Sequence, residues 1–161
     1  MALSIWYTDV GSVEAGSVNI LANLDDPNLS SARLSLITAT YTMTGNEIQN
    51  DLIYIKRVPS GSLVDPSSSM ASSGIAATAT VSVGDLDTVG GTVSPDLNRY
   101  SAAQNVAAAS TSPVAFASGT TLSAPAEISD DWVFLVGKFV TLATPTAAGK
   151  LIFRIKLSQA D

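Results

Sequence analysis

The sequence predicts an all-β protein built as an antiparallel β-sandwich, of which a jelly roll is one form. Short segments rich in β-branched and aromatic residues alternate between apolar and polar side chains, which is the period of a half-buried strand. Glycine and proline separate these segments. One short stretch carries the start signal of a helix. The pattern therefore indicates a sandwich with at most one short helix.

Two strong strand patterns occupy the first half of the chain, at residues 32–44 and 51–58. The six residues between them, 45–50, contain Gly and Asn, which tolerate a left-handed backbone. We therefore predict that the two segments pair as a β-hairpin.

The middle of the chain combines one clear strand with weaker elements. Small and β-branched apolar residues alternate with Thr and Ser over residues 75–83, which predicts a strand. The Ser-rich stretch 66–74 before it is interpreted as a loop or an exposed connection. Asp96 is a candidate N-cap for a short helix over 95–104. Weaker strand patterns lie at residues 18–24, 114–117 and 120–122.

The C-terminal part predicts two long strands. Residues 132–142 are apolar on both faces, which is typical of a central strand or of one that a partner covers. Residues 151–157 alternate strictly, with the cations Arg154 and Lys156 on the polar face. The connection 144–149 contains turn residues, and we predict that the two strands form a second hairpin.

The composition excludes several classes of function. The chain has no Cys and no His, so it lacks disulfides, thiolate nucleophiles and the commonest general base and transition-metal ligand. We therefore expect neither enzymatic activity nor a cofactor. A net charge of −6 and a pI near 4.3 argue against binding to nucleic acid. No apolar run approaches the roughly 20 residues of a membrane span, and no secretory signal begins the sequence.

One segment superficially matches a calcium-binding loop. In residues 85–96, acidic residues occupy positions one, three and twelve, and glycine occupies position six. Positions five and nine are Val89 and Val93, which offer no side-chain oxygen, and the segment follows a predicted strand instead of a helix. The chain also has two pairs of adjacent Asp residues, but adjacent residues of a strand point to opposite faces. We therefore predict no metal site and no catalytic carboxylate pair.

Charged and aromatic residues select a candidate contact surface. The first 100 residues hold ten acids and four bases, whereas residues 101–161 hold four of each, and these four bases follow one another with no acid between them. Three interpretations remain open: a docking interface, a solvated strand face with the aromatic residues in the core, or an aromatic platform for a sugar. The candidate interface residues are Trp6, Tyr7, Trp132, Lys138, Lys150, Arg154 and Lys156.

Several segments occur in the same order as in a known family. They are 43–55 (MTGNEIQNDLIYI), 58–64 (VPSGSLV), 81–85 (VSVGD), 96–101 (DLNRYS) and 146–155 (TAAGKLIFRI). Over about residues 34–158 the chain therefore resembles small virion proteins of tailed bacteriophages. Some proteins of this kind are capsid decoration, or cement, proteins of β-sandwich or jelly-roll type.

The resemblance implies a structural virion protein without cofactor or catalytic residues. It implies the major capsid protein as partner and the capsid surface as location, after synthesis in the host cytoplasm. Asn50-Asp51 and Arg99-Tyr100 match the family pattern, and we interpret them as turns that hold the fold. Residues 1–30 are outside the resemblance, and we predict that they form an N-terminal arm or extended segment before a single domain over 31–161.

Repeated placement on a symmetric shell would give affinity through multivalency, so we expect a homo-oligomer, with a trimer as first candidate. Two other functions stay open. One is a tail- or fibre-associated β module that binds host glycan, and the other is a neck or head-completion protein.

Overall fold

The structure is a computed structural model that describes residues 5–7, 34–59, 62–86, 96–110, 112–116, 126–127 and 132–159. These residues form eleven β-strands and no helix, so none of them lies in a helix long and apolar enough to cross a membrane. The strands are β1 (Ile5–Tyr7), β2 (Leu34–Thr42), β3 (Leu52–Pro59), β4 (Ser62–Val64), β5 (Ser69–Ser72), β6 (Ala76–Leu86), β7 (Asp96–Asn105), β8 (Val114–Ala115), β9 (Ala126–Glu127), β10 (Trp132–Pro145) and β11 (Lys150–Gln159).

The strands form two sheets that face each other across one core. Sheet A has the order β1–β3–β10–β6–β7. Sheet B is centred on β11, which pairs with β2 along one edge and with β5 and β4 along the other. The short strands β8 and β9 extend β5 and β4. Among the described strands, every pairing is antiparallel except that of β1 with β3. The predicted all-β sandwich is therefore confirmed.

The core is filled by the inward residues of both sheets. On β11 every second residue from Leu151 to Leu157 is buried, as the alternation predicts. The ring of Phe153 reaches across to sheet A, where a Cβ at Gly137 would lie 3.0 Å from the ring. The sheets can pack this closely because residue 137 has no side chain opposite the ring.

Both predicted hairpins are wrong, because each connection crosses from one sheet to the other. β2 lies in sheet B and β3 in sheet A, while β10 lies in sheet A and β11 in sheet B. The two crossings, 43–51 and 146–149, lie side by side. The Met43 N–H donates to the Gly149 carbonyl oxygen (2.7 Å), and the Ala148 N–H donates to the Met43 carbonyl oxygen (2.9 Å). Positive φ angles occur in and beside them at Gly45, Asn50, Thr144 and Ala148.

The helix predicted over 95–104 is also wrong, because residues 96–105 form β7 at the edge of sheet A. Asp96 accepts a hydrogen bond from the Asn98 N–H (3.1 Å), but this contact makes a local turn and the backbone then continues as a strand. β7 carries a large bulge, since the four residues 97–100 lie opposite the single residue Gly84. The bulge lets Tyr100 turn into the core.

The Ser-rich stretch 66–74 is not an exposed connection, because it contains β5, which pairs with β11 and β8. Ser68 is fully buried. Its hydroxyl donates to the Asp65 carbonyl oxygen (2.7 Å) and accepts from the Lys156 N–H (3.0 Å). Hydroxyl residues face the interior here because these bonds satisfy them locally, so the stretch shows no apolar alternation in the sequence.

Other strand predictions are confirmed. β10 lies between β3 and β6 in sheet A, as expected of a strand that is apolar on both faces. The strand predicted at 75–83 is part of β6, and β8 lies within the predicted segment 114–117. The weak patterns at 18–24 and 120–122 lie outside the described residues.

The N-terminal segment contributes one strand to sheet A. Ile5–Tyr7 pairs in parallel with residues 52–54 of β3. The division of the chain into an arm over 1–30 and a domain over 31–161 stays a prediction.

Gly84 provides a test of the β7 bulge. A Cβ at this position would lie 2.6 Å from the Leu97 Cα and closer still to the Asp96 carbonyl oxygen, which are backbone atoms that no rotamer change can move. We expect Gly84→Ala to lower the free energy of unfolding by about 3 kcal/mol, the upper part of the usual range for overpacking. Gly137→Ala, whose new methyl group meets side-chain atoms of Phe153 at 3.0 Å and of Val81 at 3.5 Å, should cost less. Urea unfolding measures the loss of unfolding free energy in each variant. Equal losses in the two variants would contradict the geometry of the bulge.

Candidate docking surface

The buried carboxylate of Glu47 organises the crossing from β2 to β3. Glu47 is 2% exposed. Its oxygens accept hydrogen bonds from the Tyr41 hydroxyl, from the Thr44 N–H (2.6 Å) and hydroxyl (2.9 Å), and from the Gly45 N–H (3.0 Å). Burial alone would raise the pKa of Glu47, but these hydrogen bonds outweigh it and hold the pKa below its ordinary value. Burial, with the nearby Glu47 charge, raises the pKa of Tyr41 far above its ordinary value. The pair is therefore an ionised carboxylate and a neutral phenol at pH 7.

The same crossing is tied to sheet A by its last residues. The Asp51 carboxylate accepts from the Ile48 N–H (3.0 Å). The Asn50 N–H donates to the Phe139 carbonyl oxygen (2.8 Å), and the Phe139 N–H donates to the Asp51 carbonyl oxygen (3.1 Å). Asn50 has a φ of 74°, which its short polar side chain tolerates better than a branched one would. Asn50 and Asp51 therefore hold a turn.

A second buried carboxylate, that of Asp85 on β6, lies toward the opposite end of the sandwich. It accepts a hydrogen bond from the Tyr100 hydroxyl (2.6 Å), and its two oxygens lie 3.1 and 3.0 Å from the Arg99 Nε. Burial first, and then the charge of Asp85, raise the pKa of Tyr100 far above its ordinary value. Both carboxylate oxygens thus serve the fold. Arg99 and Tyr100 lie on strand β7 and not in a turn as predicted, and they contribute to the fold through their contacts with Asp85. Residues 87–95 of the calcium-like loop lie outside the described residues.

Both carboxylate clusters coincide with segments that carry the family resemblance. Glu47 lies in the segment 43–55, and Asp85 lies in 81–85 and meets the segment 96–101. In the part of the chain that the structure describes, no group of three or more acidic side chains could hold a metal ion. The described acidic motifs are therefore explained by internal hydrogen bonds.

Three of the predicted cations share one surface, the outer face of sheet B, which we call the basic face. On β11 they alternate with core residues and point away from the core. Register places the outward residues of β2 and β5 on either side of them. The basic face consists of Lys150, Ile152, Arg154 and Lys156 of β11, Leu36, Thr38, Thr40 and Thr42 of β2, and Ser69 and Ala71 of β5.

The four C-terminal bases do not share one surface, because Lys138 is separate from the other three. Lys138 lies on β10 in sheet A, where it pairs with Leu52 and Ser82 and alternates with the core residues Gly137 and Phe139. Because its two neighbours on β10 face the core, Lys138 lies on the outer face of sheet A, away from sheet B.

The predicted aromatic residues lie on the backbone of sheet A. Trp6 pairs with Ile53, and Trp132 pairs with Pro59. The six-residue separation along β3 places their backbones roughly 20 Å apart. Tyr7 follows Trp6 and pairs with Tyr54. Neither tryptophan lies next to the basic face, since both strands are in sheet A. The structure describes the backbones of these two residues and not their side chains.

Sequence reasoning missed the apolar part of the basic face. Leu36 is 59% exposed and lies opposite Lys156 in the β2–β11 register. Ile152, which is half-buried, lies between Lys150 and Arg154 on the same face. The sequence does contain a sign of this: every second residue of a strand lies on one face, so Leu36 shares the polar face of β2 with Thr38, Thr40 and Thr42.

The Glu47 cluster gives a testable prediction. We expect Glu47→Gln to lower the free energy of unfolding at pH 7 by about 2 kcal/mol, because hydrogen bonds to a charged group contribute roughly 1.5–3 kcal/mol. The folded-state pKa lies below the ordinary value of 4.5, so the stabilisation is complete above pH 4.5 and disappears as the pH falls through the folded pKa. Urea unfolding at pH 7 and at about pH 3 should therefore show a difference between wild type and variant that narrows on acidification. Asn46→Ala, a change at an exposed position of the same crossing, is the control. If the difference in unfolding free energy between wild type and Glu47→Gln becomes larger in acid, Glu47 is not an ionised, stabilising group.

No protein-family model matches the sequence, and no curated protein matches it. Solved structures do share its fold. A chain of the capsid of Ralstonia phage GP4 is 14% identical with a TM-score of 0.66, over 98% of this chain and 99% of that chain. A chain of the capsid asymmetric unit of cyanophage Pam1 is 20% identical with a TM-score of 0.60, over 78% of this chain and 84% of that chain. At these identities the likeness establishes the fold, and both structures are phage capsids, in agreement with the family that the sequence resembles.

Proposed function

We propose that this chain is a capsid decoration protein of a tailed bacteriophage, a structural and non-enzymatic component that binds the outer surface of the major capsid protein shell. The observation that carries the proposal is the fold shared over 98% of this chain with a chain of a phage capsid. The resemblance of five sequence segments to tailed-phage virion proteins supports it separately, because that resemblance rests on residues and not on the backbone.

The composition of the chain suits a shell component. Only 14% of the residues are charged, while the chain has 22 Ser and 15 Thr, so contact with neighbouring subunits removes few full charges from water. A site that repeats over a symmetric shell favours a homo-oligomer, and a trimer is the first candidate. The proposed location is the outer capsid surface of the virion, after synthesis in the host cytoplasm.

Copy number in purified virions tests this proposal. We expect quantitative mass spectrometry to find the protein in a fixed ratio to the major capsid protein, and electron microscopy to place it over the whole shell. Absence from virions would contradict the proposal. A copy number that corresponds to a single ring would instead support a neck or head-completion protein.

Glycan binding by a tail or fibre module is the competing function. The purified protein should bind shells that were assembled without it and should show no retention on a glycan array. Retention on the array without binding to shells would favour the tail module.

The N-terminal segment gives a separate prediction. Removal of residues 1–10 deletes β1, a three-residue edge strand, and leaves the other four strands of sheet A and the described strands of sheet B in place. We expect the truncated protein to fold, as measured by circular dichroism, and to occupy fewer sites on shells in co-sedimentation, because we propose that this arm contacts a neighbouring subunit on the shell. A variant in which residues 1–10 are replaced by Gly and Ser controls for length. Unchanged occupancy would refute the arm.

A further inference from the structure

The basic face carries a charge opposite to that of the whole chain. The protein has a net charge of −6, but this face presents three cations. Lys150 and Arg154 are exposed, and no carboxylate of the described residues forms an ion pair with either. Four residues of extended backbone separate their Cα atoms by about 13 Å.

Lys156 occupies the rim of the basic face. Its ammonium group donates to the Ser67 hydroxyl (2.9 Å). Hydrogen bonds from Ser67, and to a smaller extent the charge of Lys156, hold the pKa of Asp65 below its ordinary value. Lys156 therefore has its own local partners, whereas Lys150 and Arg154 are available to a second molecule.

The centre of the basic face is apolar and hydroxyl-bearing. Ile152 lies between the two available cations, with Thr40 on one side and Ala71 on the other. Leu36, at 59% exposure, lies on β2 beside Lys156 and adds exposed apolar area at the rim of the face. An apolar centre with a polar, charged rim is the usual anatomy of a protein–protein interface.

We propose that the basic face is the surface that docks onto the shell, and that it meets an acidic patch of the major capsid protein. This inference rests on the proposed function and adds the face of contact and the chemistry of the partner surface. It places sheet B against the shell and sheet A, with Lys138 and the backbones of Trp6 and Trp132, away from it.

Charge complementarity favours an acidic protein over the other possible occupants. A two-fold contact between two copies of the basic face would oppose cations with cations, which is repulsive. A nucleic acid would meet Lys150 and Arg154 on a chain whose total charge repels phosphates. An acidic surface on a different protein satisfies both cations and covers Ile152 and Leu36.

A matched pair of charge reversals tests the face. Arg154→Glu reverses an exposed cation on the basic face, and Arg57→Glu makes the same change at an exposed position on β3 of sheet A. Binding to shells assembled without the protein is measured by co-sedimentation at low and moderate salt. We expect Arg154→Glu to weaken binding by about tenfold or more and to reduce its salt dependence, because it adds a like charge to the contact. Arg57→Glu should bind as the wild type does.

Lys150→Glu reverses the other available cation of the basic face and should weaken binding in the same way. Thermal unfolding checks that each variant is folded. Wild-type protein that does not bind shells at all overturns the proposed function. Wild-type binding that neither Arg154→Glu nor Lys150→Glu weakens overturns the docking face alone. Two results would assign the face to a different occupant and would also overturn the proposed docking to the capsid protein. One is binding of the wild type to double-stranded DNA through these residues, and the other is charge-dependent self-association of the wild type through them.

Discussion

The sandwich is held in register by two chain crossings between its sheets, and the Glu47 carboxylate fixes the first of them. Tyr41 at the end of β2 reaches the carboxylate from the core, while Thr44 and Gly45 close the backbone around it. The second crossing, 146–149, lies directly on the first through backbone hydrogen bonds. β2 and β11 are neighbours in sheet B, and β3 and β10 are neighbours in sheet A. Each crossing therefore connects one strand of the first pair to one strand of the second. One buried ionised group therefore sets the geometry of four strands.

Alternation of side chains predicted the strands but not their partners. A period of two fixes which face of β11 is buried, and the prediction for residues 151–157 was correct for that reason. The sequence between two strands says only that the chain turns, and both 45–50 and 144–149 suited a hairpin as well as a crossing. The choice was made by long-range contacts, such as the Met43–Gly149 hydrogen bond, which no local pattern contains. The same limit applies to β7, where Asp96 started a turn and pairing with β6 prevented a helix.

The candidate surface was predicted only in part, because cations that are near each other in the sequence do not always lie on the same face of the folded protein. Arg154 and Lys156 were predicted on the polar face of the strand 151–157. Lys150 joins them because β11 begins one residue earlier than the predicted strand. Lys138 precedes Lys150 with no acidic residue between them, but the crossing at 146–149 carries the chain to the other sheet. Leu36 comes to Lys156 only through the pairing of β2 with β11, across more than a hundred residues.

The two outer faces of the sandwich differ in what their own chain already covers. On sheet A, the outward residues Tyr54 and Val136 are buried within the monomer, and the Tyr54 ring lies 5.2 Å from that of Phe134. On sheet B, Leu36 and both available cations are open to water. A surface whose apolar residues are already buried gains little from a further contact, since the gain comes from apolar area newly removed from water. Leu36 and Ile152 still have such area to lose, and Lys150 and Arg154 beside them supply the charge that makes the contact selective. The asymmetry of burial therefore singles out the same face as the asymmetry of charge, from independent observations.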